Sequence, residues 1–232
     1  MSNPVFQLLE QRNSCRAFLP DAVPLADLRD IIAAARRAPS GANLQPGGFH
    51  VLTGAPLDRL RAALADVAQS PPEPSEYSYF PNPMPPHLRA RQRRAGYALY
   101  HALGIERRDI AGRQAQFAKN YRFFDAPVGI VVTIDRNMGA GCFMDLGMAL
   151  MALMLHAHSV GYGTCGIGAL ANHGRLTHQT LGLAQDDIVV CGIALGRPDT
   201  QAPVNAFRTE RATIEDYATF HGFEEDHPDE RS

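Results

Sequence analysis

A short segment near the N-terminus places two arginines and a serine at alternating positions. Residues 11–18 read QRNSCRAF, so the three are Arg12, Ser14 and Arg16. In an extended chain, alternate side chains point to the same side, and the two guanidinium groups and the hydroxyl would converge. Because arginine binds phosphate through paired N–H donors, this segment predicts a phosphate site. A charged face in contact with solvent is the alternative that the pattern leaves open.

A glycine-rich segment, GYGTCGIG over residues 161–168, is the second candidate. Gly161, Gly163 and Gly166 have the Gly-x-Gly-x-x-Gly spacing that holds a dinucleotide pyrophosphate when it follows a strand. The apolar residues of 145–158 instead predict a helix directly before Gly161. We therefore expect no Rossmann-type site, and interpret the glycines as letting backbone N–H groups approach a flat ring system.

Two further segments carry polar or aromatic side chains. The loop APSGANLQP, residues 38–46, offers Ser40, Asn43 and Gln45. Residues 69–87, QSPPEPSEYSYFPNPMPPH, contain too many prolines for a helix or a central strand. Their aromatic side chains predict an ordered loop that covers another part of the molecule.

The elements that must position these segments follow from hydrophobic periodicity. Helical spacing predicts one helix that begins at Leu25 and ends before Pro39, and others over residues 57–67, 88–103, 145–158 and 172–181. Runs rich in β-branched residues predict strands over residues 49–53, 127–134 and 187–198. This pattern indicates a single α/β or α+β domain.

Composition excludes several classes of partner. The chain has 232 residues, 45% of them hydrophobic, and a formal net charge of -2, so it can bury a core but offers no field for nucleic acid or an anionic membrane. The longest apolar run, residues 143–155, is too short to span a bilayer and contains Asp145. The N-terminal residues lack the pattern of a signal peptide, and we expect a cytoplasmic protein.

The cysteines and histidines do not predict a metal site. No two of the four cysteines have the Cys-x-x-Cys spacing, which indicates ordinary thiols in a reducing compartment. His156 and His158 are two positions apart on a predicted helix and so point in different directions. His173 and His178 also miss the i, i+4 spacing of helical metal ligands.

Taken together, the segments resemble the FMN-dependent nitroreductase family. RNSCRAF near the start and APSGANLQP before a strand are similar to its N-terminal signature. The similarity continues through NYRFFDAPVGIVVTID, DLGMALMALMLHAHSVGYGTCG, IVVCGIALGRPD and PVNAFRTERATIEDYATFHGF, and these later segments are most similar to the nitrobenzoate-reductase-like branch. Two positions depart from the family pattern: QPGGFH stands where many members have Pro-Trp, and Gly166 and Ile167 stand where that branch has a proline and a polar residue.

The resemblance implies a fold and an assembly. It implies an α+β fold in which helices flank a central mixed sheet, and an intertwined homodimer with FMN at the subunit interface. Residues 1–232 would form one nitroreductase-like domain with a proline- and aromatic-rich covering insertion at about 69–123.

The resemblance also assigns the flavin site residue by residue. Arg12, Asn13 and Ser14 would hold the phosphate and ribityl chain, and Arg16 would approach N1 and O2 of the isoalloxazine. A second subunit would supply the loop residues Pro39, Ser40, Gly41 and Asn43. One flavin face would lie against Cys165, Gly166, Ile167 and Gly168, with the N–H of Ile167 or Gly168 near N5. Arg208 or Arg211 would complete the phosphate site, and Arg211 is our choice.

The implied reaction is ping-pong transfer of a hydride from NADH or NADPH to a small acceptor, a nitroaromatic or a quinone, with the flavin carrying the hydride. Candidates to stack on the acceptor are Tyr77, Tyr79, Phe80, Phe123 and Phe124, with ordinary packing as the alternative. Arginines 89, 91, 93 and 94 would attract a carboxylated acceptor or the 2′-phosphate of NADPH, unless they form a solvated face. Alternative functions are a flavin-dependent dehydrogenase or dehalogenase of a specific metabolite, and a non-catalytic flavin-binding protein.

Overall fold

The computed structural model describes residues 3–68, 70–74 and 76–223. Strands alternate irregularly with helices along the chain. The elements are α1 (Pro4–Gln11), α2 (Leu25–Ala35), β1 (Gly48–Leu52), α3 (Gly54–Val67), α4 (Pro86–Ala102), α5 (Ile110–Ala118), β2 (Val128–Asp135), α6 (Ala140–Ser159), β3 (Gly163–Ile167), α7 (Gly174–Leu181), β4 (Asp187–Gly196) and α8 (Pro203–Ala206). Short 3₁₀ segments cover Gly41–Asn43, Lys119–Asp125 and Gly168–His173.

The four strands form one sheet in the order β1-β2-β4-β3. Each strand is antiparallel to its neighbour. Within the described part of the chain, the one parallel pairing at the sheet is the bridge between Ser14 and Thr164. We expected a mixed sheet, but its four strands are all antiparallel. The sequence does not decide the strand directions, because long helical connections allow either direction.

The two central strands are buried on both sides, as their β-branched runs predict. Ile130 and Ile193 face a core built from α2 and α6, whereas Val131 and Ala194 face a core built from α3 and the 119–125 segment. Leu57, Leu60 and Leu64 of α3 are fully buried, as their helical spacing predicts. Helices therefore flank both faces of the sheet, and the α+β prediction is confirmed.

Helix α6 is less enclosed than its apolar sequence predicts. Leu146, Leu153 and Ala157 are buried, but Met144 is 72% exposed and Met148 is 41% exposed. By length and composition alone, α6 is long and apolar enough to cross a membrane. The core helices of soluble proteins meet the same two criteria. Here α6 packs on α2, where His156 Nε2 lies 2.7 Å from Asp30 Oδ2.

Strand β3 is an element that the sequence did not predict. Gly161, at φ 87°, ends α6, and the glycine-rich residues that follow pair with β4 instead of forming a turn. A Cβ at Gly163 would lie 2.8 Å from Sγ of Cys15. Glycine is therefore required here because the N-terminal segment passes directly beside the strand.

The covering segment, described at residues 70–74 and 76–83, lies against β4 and the start of α7. The N–H of Glu73 donates to the carbonyl of Asn172, and Glu73 accepts from the N–H of Arg175. The hydroxyl of Tyr77 donates to the carbonyl of Val190 at 2.5 Å. The segment is thus held at several points, as expected of an ordered loop.

Phe123 and Phe124 are core residues. They are 0% and 4% exposed and pack among α3, β2 and β4. Both have left-handed backbone angles, with φ of 53° and 52°, which turns their rings inward. The expectation that they stack on an acceptor is corrected, because neither ring has a free face.

Phe123→Ala is expected to lower the free energy of unfolding by about 3–5 kcal/mol, because it leaves a large cavity in the core. Phe80→Ala is the matched control: this ring is 56% exposed, and we expect a change under about 0.5 kcal/mol. Urea unfolding at one fixed protein concentration measures both. Equal changes in the two variants would contradict the assignment of Phe123 to the core.

Candidate functional site

The N-terminal segment with the alternating arginines is extended and lies along the free edge of β3. Ser14 pairs with Thr164, and the N–H of Cys15 donates to the carbonyl of Thr164 at 2.9 Å. Cys15 is 1% exposed. Because alternate residues of an extended chain point to opposite sides, burial of Cys15 leaves Ser14 and Arg16 on the other side.

Asn205, just before the end of α8, holds the same segment from a second direction. Its Oδ1 accepts the N–H of Arg16 at 2.8 Å, and its Nδ2 donates to the carbonyls of Ala17 and Asp199 at 2.8 Å each. Its own carbonyl accepts from Nδ2 of Asn13 at 2.7 Å. One asparagine thus joins residues that are nearly 200 positions apart in the chain.

A cavity of about 530 Å³ opens between these two segments. Its lining includes six of the residues predicted to bind the cofactor, namely Arg12, Asn13, Ser14, Arg16, Arg208 and Arg211. Phe6, Leu9 and Phe207 provide apolar walls. Among the described residues, Glu10 is the one acidic side chain in this lining, so the cavity is strongly cationic.

Arg12 is a partly buried cation of this group. Burial and the neighbouring Arg211 and Arg208 lower the pKa of its guanidinium. Its Nε is buried and has no hydrogen-bond partner in the described part of the chain. An anion bound there would pair with a guanidinium whose charged form burial and like charges otherwise disfavour.

Arg208 and Arg211 are fixed by the chain that carries them. Nη1 of Arg208 donates to the carbonyls of residues 205, 206 and 207, and Nη1 of Arg211 donates to Thr209 and to the carbonyl of Glu210. Both arginines line the cavity. The choice of Arg211 over Arg208 therefore stays a prediction.

The glycine-rich residues that we predicted to lie against the flavin, Cys165 to Gly168, form the end of β3 and the residue after it. Cys165 and Ile167 are buried, and burial raises the pKa of the Cys165 thiol. Gly166 is exposed, and a Cβ there would meet nothing within 4 Å. At Gly168 a Cβ would lie 2.8 Å from the ring of Tyr79. The backbone of this strand is thus open at Gly166 and covered by an aromatic ring at Gly168.

The predicted acceptor-binding aromatics differ in their surroundings. Tyr79 and Phe80 are 58% and 56% exposed and pack edge to face with ring centroids 4.8 Å apart. Tyr77 is half-buried and contacts Phe143, and its hydroxyl donates a hydrogen bond to the carbonyl of Val190 in β4. Tyr79 and Phe80 therefore present free ring surface near Gly168, whereas Tyr77 anchors the segment.

The loop with Pro39, Ser40, Gly41 and Asn43 is outside the cavity. The N–H of Gly41 donates to Oδ2 of Asp145 at 3.0 Å, which holds the loop on α6. Ala42, Asn43 and Gln45 have positive φ and are exposed. One chain therefore assembles the arginine half of the predicted site and leaves the loop half facing outward.

Sequence reasoning missed Asn205 and the apolar cavity walls. Asn205 lies inside PVNAFR, but a lone asparagine has no periodicity or spacing that marks it. Its role appears only when residues 13–17 and 197–205 are adjacent in space. Within the ranges that the structure describes, no group of three or more His, Cys, Asp or Glu side chains is placed to hold a metal ion.

An antiparallel sheet between helices, with an arginine-lined cavity where the N-terminal and C-terminal segments meet, has the nitroreductase fold. The chain belongs to the nitroreductase family, whose model matches residues 9–197.

Individual relatives are similar over nearly their whole length. A 4-nitrobenzoate reductase of Pseudomonas putida is 36% identical over 217 residues, which cover 94% of this chain and 95% of that protein. A chloronitrobenzene nitroreductase of Comamonas testosteroni is 35% identical, over 92% and 95% of the two chains.

Two solved structures are similar to this chain over nearly its whole length. The FMN and NADPH-dependent nitroreductase NfnB of Sphigopyxis sp. strain HMH superposes with a TM-score of 0.92 at 36% identity, covering 95% of this chain and 100% of that one. NfnB of Mycobacterium smegmatis in complex with NADPH gives 0.87 at 29% identity, with coverage of 93% and 96%.

The residues present fit a flavin mononucleotide. A phosphate dianion would satisfy the unpaired Nε of Arg12 and offset the repulsion among the arginines around it. The exposed backbone at Gly166 leaves room for a flat ring against the strand. The cavity thus has the donors for a phosphate and, beside it, an open glycine surface.

Asn205→Asp is expected to lower the free energy of unfolding by about 2 kcal/mol or more, because a carboxylate oxygen would face the carbonyls of Ala17 and Asp199. Asn137→Asp, at an exposed position outside the site, should change it by less than about 0.5 kcal/mol. Urea unfolding measures the free energy of unfolding of both variants. If Asn205→Asp loses no more stability than Asn137→Asp, the structural role that we assign to Asn205 is wrong.

Proposed function

We propose that this chain is an FMN-dependent NAD(P)H oxidoreductase that reduces nitroaromatic or quinone-type acceptors. The observation that carries the proposal is the cavity with four arginines and the unpaired Nε of Arg12. The family similarity assigns these arginines to the phosphate and the ring of the flavin. Relatives named 4-nitrobenzoate reductase and nitrobenzene nitroreductase support the choice of acceptor. The Sphigopyxis NfnB is NADPH-dependent and the Mycobacterium smegmatis NfnB is in complex with NADPH, which favours NADPH as the donor.

When bound, FMN supplies a centre that accepts a hydride from nicotinamide and delivers it to the acceptor. The chain's own residues hold and orient it. Arg12, Ser14 and one of Arg208 and Arg211 bind the phosphate end. Arg16 places a positive charge at the pyrimidine end, where negative charge develops on reduction. The missing side chain at Gly166 leaves the strand's backbone free to contact the ring.

Tyr79 and Phe80 are the residues that we assign to acceptor binding. Their rings are half-exposed, and Tyr79 contacts Gly168 at the end of the glycine-rich strand. Exposed aromatic rings beside the flavin position would stack on a flat, electron-poor acceptor. A small aromatic molecule is therefore the expected substrate class.

A second copy of the chain would complete the site. The loop with Ser40 and Asn43 lies outside the cavity of its own chain, and Asn43 is exposed at a positive φ. Exposed methionines on α6 and exposed aromatics near the C-terminus, Tyr217 and Phe220, are apolar surface that a dimer would bury. We therefore propose a homodimer with FMN between the subunits, located in the cytoplasm, where its four cysteines stay reduced.

Purified protein should be yellow, and anaerobic NADPH should bleach the flavin absorbance because hydride reaches the bound FMN. Adding 4-nitrobenzoate should restore the absorbance of the oxidised flavin. The rate of NADPH consumption in the steady state, measured with 4-nitrobenzoate and with a panel of quinones, then ranks the acceptors. A flavin that stays oxidised under NADPH and NADH would indicate a non-catalytic binding protein. Bleaching without turnover of any of these acceptors would indicate a dehydrogenase or dehalogenase of another metabolite.

Met144→Glu should give monomers by sedimentation and lose most of its FMN, because it puts a charge on the exposed apolar face of α6. Met144→Leu, which keeps the apolar surface, should remain a dimer with bound FMN. A dimeric, FMN-replete Met144→Glu protein would exclude this face from the interface.

A further inference from the structure

A second cavity, of about 300 Å³, lies on the other side of the N-terminal segment. It shares Arg12, Asn13 and Arg208 with the first cavity. His158 at the end of α6, Thr164 of β3 and Thr200 also line it. Among the described residues, no aspartate or glutamate does. The two shared arginines therefore stand between two cavities, and both cavities are cationic.

The donors of this second cavity are incompletely used. Arg12 lines this cavity as well as the first. Arg208 uses Nη1 for its own backbone carbonyls, and each guanidinium carries five N–H donors in a plane. Two arginines can thus donate to a phosphate in the first cavity and still offer donors to a second anion.

His158 adds a titratable group to the same wall. Burial, Arg12 and Arg208 lower the pKa of its imidazole, so it is neutral when no anion is near. An anion between these three groups would favour the protonated, doubly donating form. Cys15 and Tyr162, which also line the cavity, stay neutral near pH 7, because the pKa of Cys15 is raised to about 11 and that of Tyr162 is raised.

We propose that this second cavity, walled by Arg12, Arg208 and His158, binds a small oxyanion, a phosphate or a carboxylate, at the same time as the first cavity holds FMN. The site goes beyond the proposed function, and it relies on FMN only to fill the first cavity. Tyr162 in its lining lies under the guanidinium of Arg197, at 5.3 Å, and donates its hydroxyl to the carboxylate of Asp27, so charges of both signs lie behind that ring.

The test is isothermal titration calorimetry, in which the FMN-loaded protein is titrated with inorganic phosphate and, separately, with benzoate. At least one anion should bind once per subunit, and the tighter of the two identifies the source. His158→Gln should weaken that binding about tenfold, because the neutral amide cannot take up the proton that lets the imidazole donate as a cation to the anion. Thr200→Val is a second variant on the cavity rim and should weaken it by a smaller factor.

His156→Gln is the matched control, two residues earlier on the same helix and paired with Asp30 outside the cavity. It should leave anion affinity unchanged, and all three variants should keep their FMN. Sulfate, whose charge is constant between pH 6 and 8, should bind more tightly as the pH falls in wild type but not in His158→Gln.

The proposal is overturned if neither anion binds the FMN-loaded protein, or if His158→Gln and Thr200→Val bind as tightly as His156→Gln. Phosphate that binds only when FMN is absent would also overturn it, because the first cavity alone would then be the site. If the protein takes up no FMN, the proposed function fails separately, and the effect of His158→Gln on phosphate binding still tests this cavity.

Discussion

The whole site depends on how residues 13–17 are held between two other parts of the chain. Backbone pairing with Thr164 fixes one edge of this segment, and the amide of Asn205 fixes the other. Buried Cys15, packed against Gly163, then sets which side chains point inward. With that direction fixed, Arg12, Ser14 and Arg16 must face the cavity that Arg208 and Arg211 enter from the C-terminal segment.

This arrangement concentrates positive charge on a protein whose formal net charge is -2. Burial and two neighbouring arginines disfavour the charged form of Arg12, so bringing these arginines together is electrostatically costly. A bound dianion removes that cost, which is why the fold and its cofactor are expected to stabilise one another. The smaller cavity, which Arg12 and Arg208 also line, is cationic as well, and His158 adds a titratable imidazole to its wall.

The sequence predicted the parts of this structure that follow from local patterns. Alternation gave the orientation of Arg12, Ser14 and Arg16, and β-branched runs gave the buried strands β2 and β4. It did not predict β3, because glycines have low strand propensity and this strand depends on Cys15 and β4 for its pairing. Neither Asn205 nor the inward rings of Phe123 and Phe124 could be predicted, since contacts between distant segments and left-handed backbone decide both.

The central claim, that Arg12 and its neighbours bind the flavin phosphate, is tested most directly by comparing FMN with riboflavin, which lacks that phosphate. Fluorescence titration gives both affinities for wild type and for Arg12→Ala. The account predicts that wild type binds FMN more tightly than riboflavin, and that Arg12→Ala weakens FMN by about 10- to 100-fold but leaves riboflavin nearly unchanged. Equal affinities of wild type for the two flavins, or unchanged FMN affinity in Arg12→Ala, would contradict it.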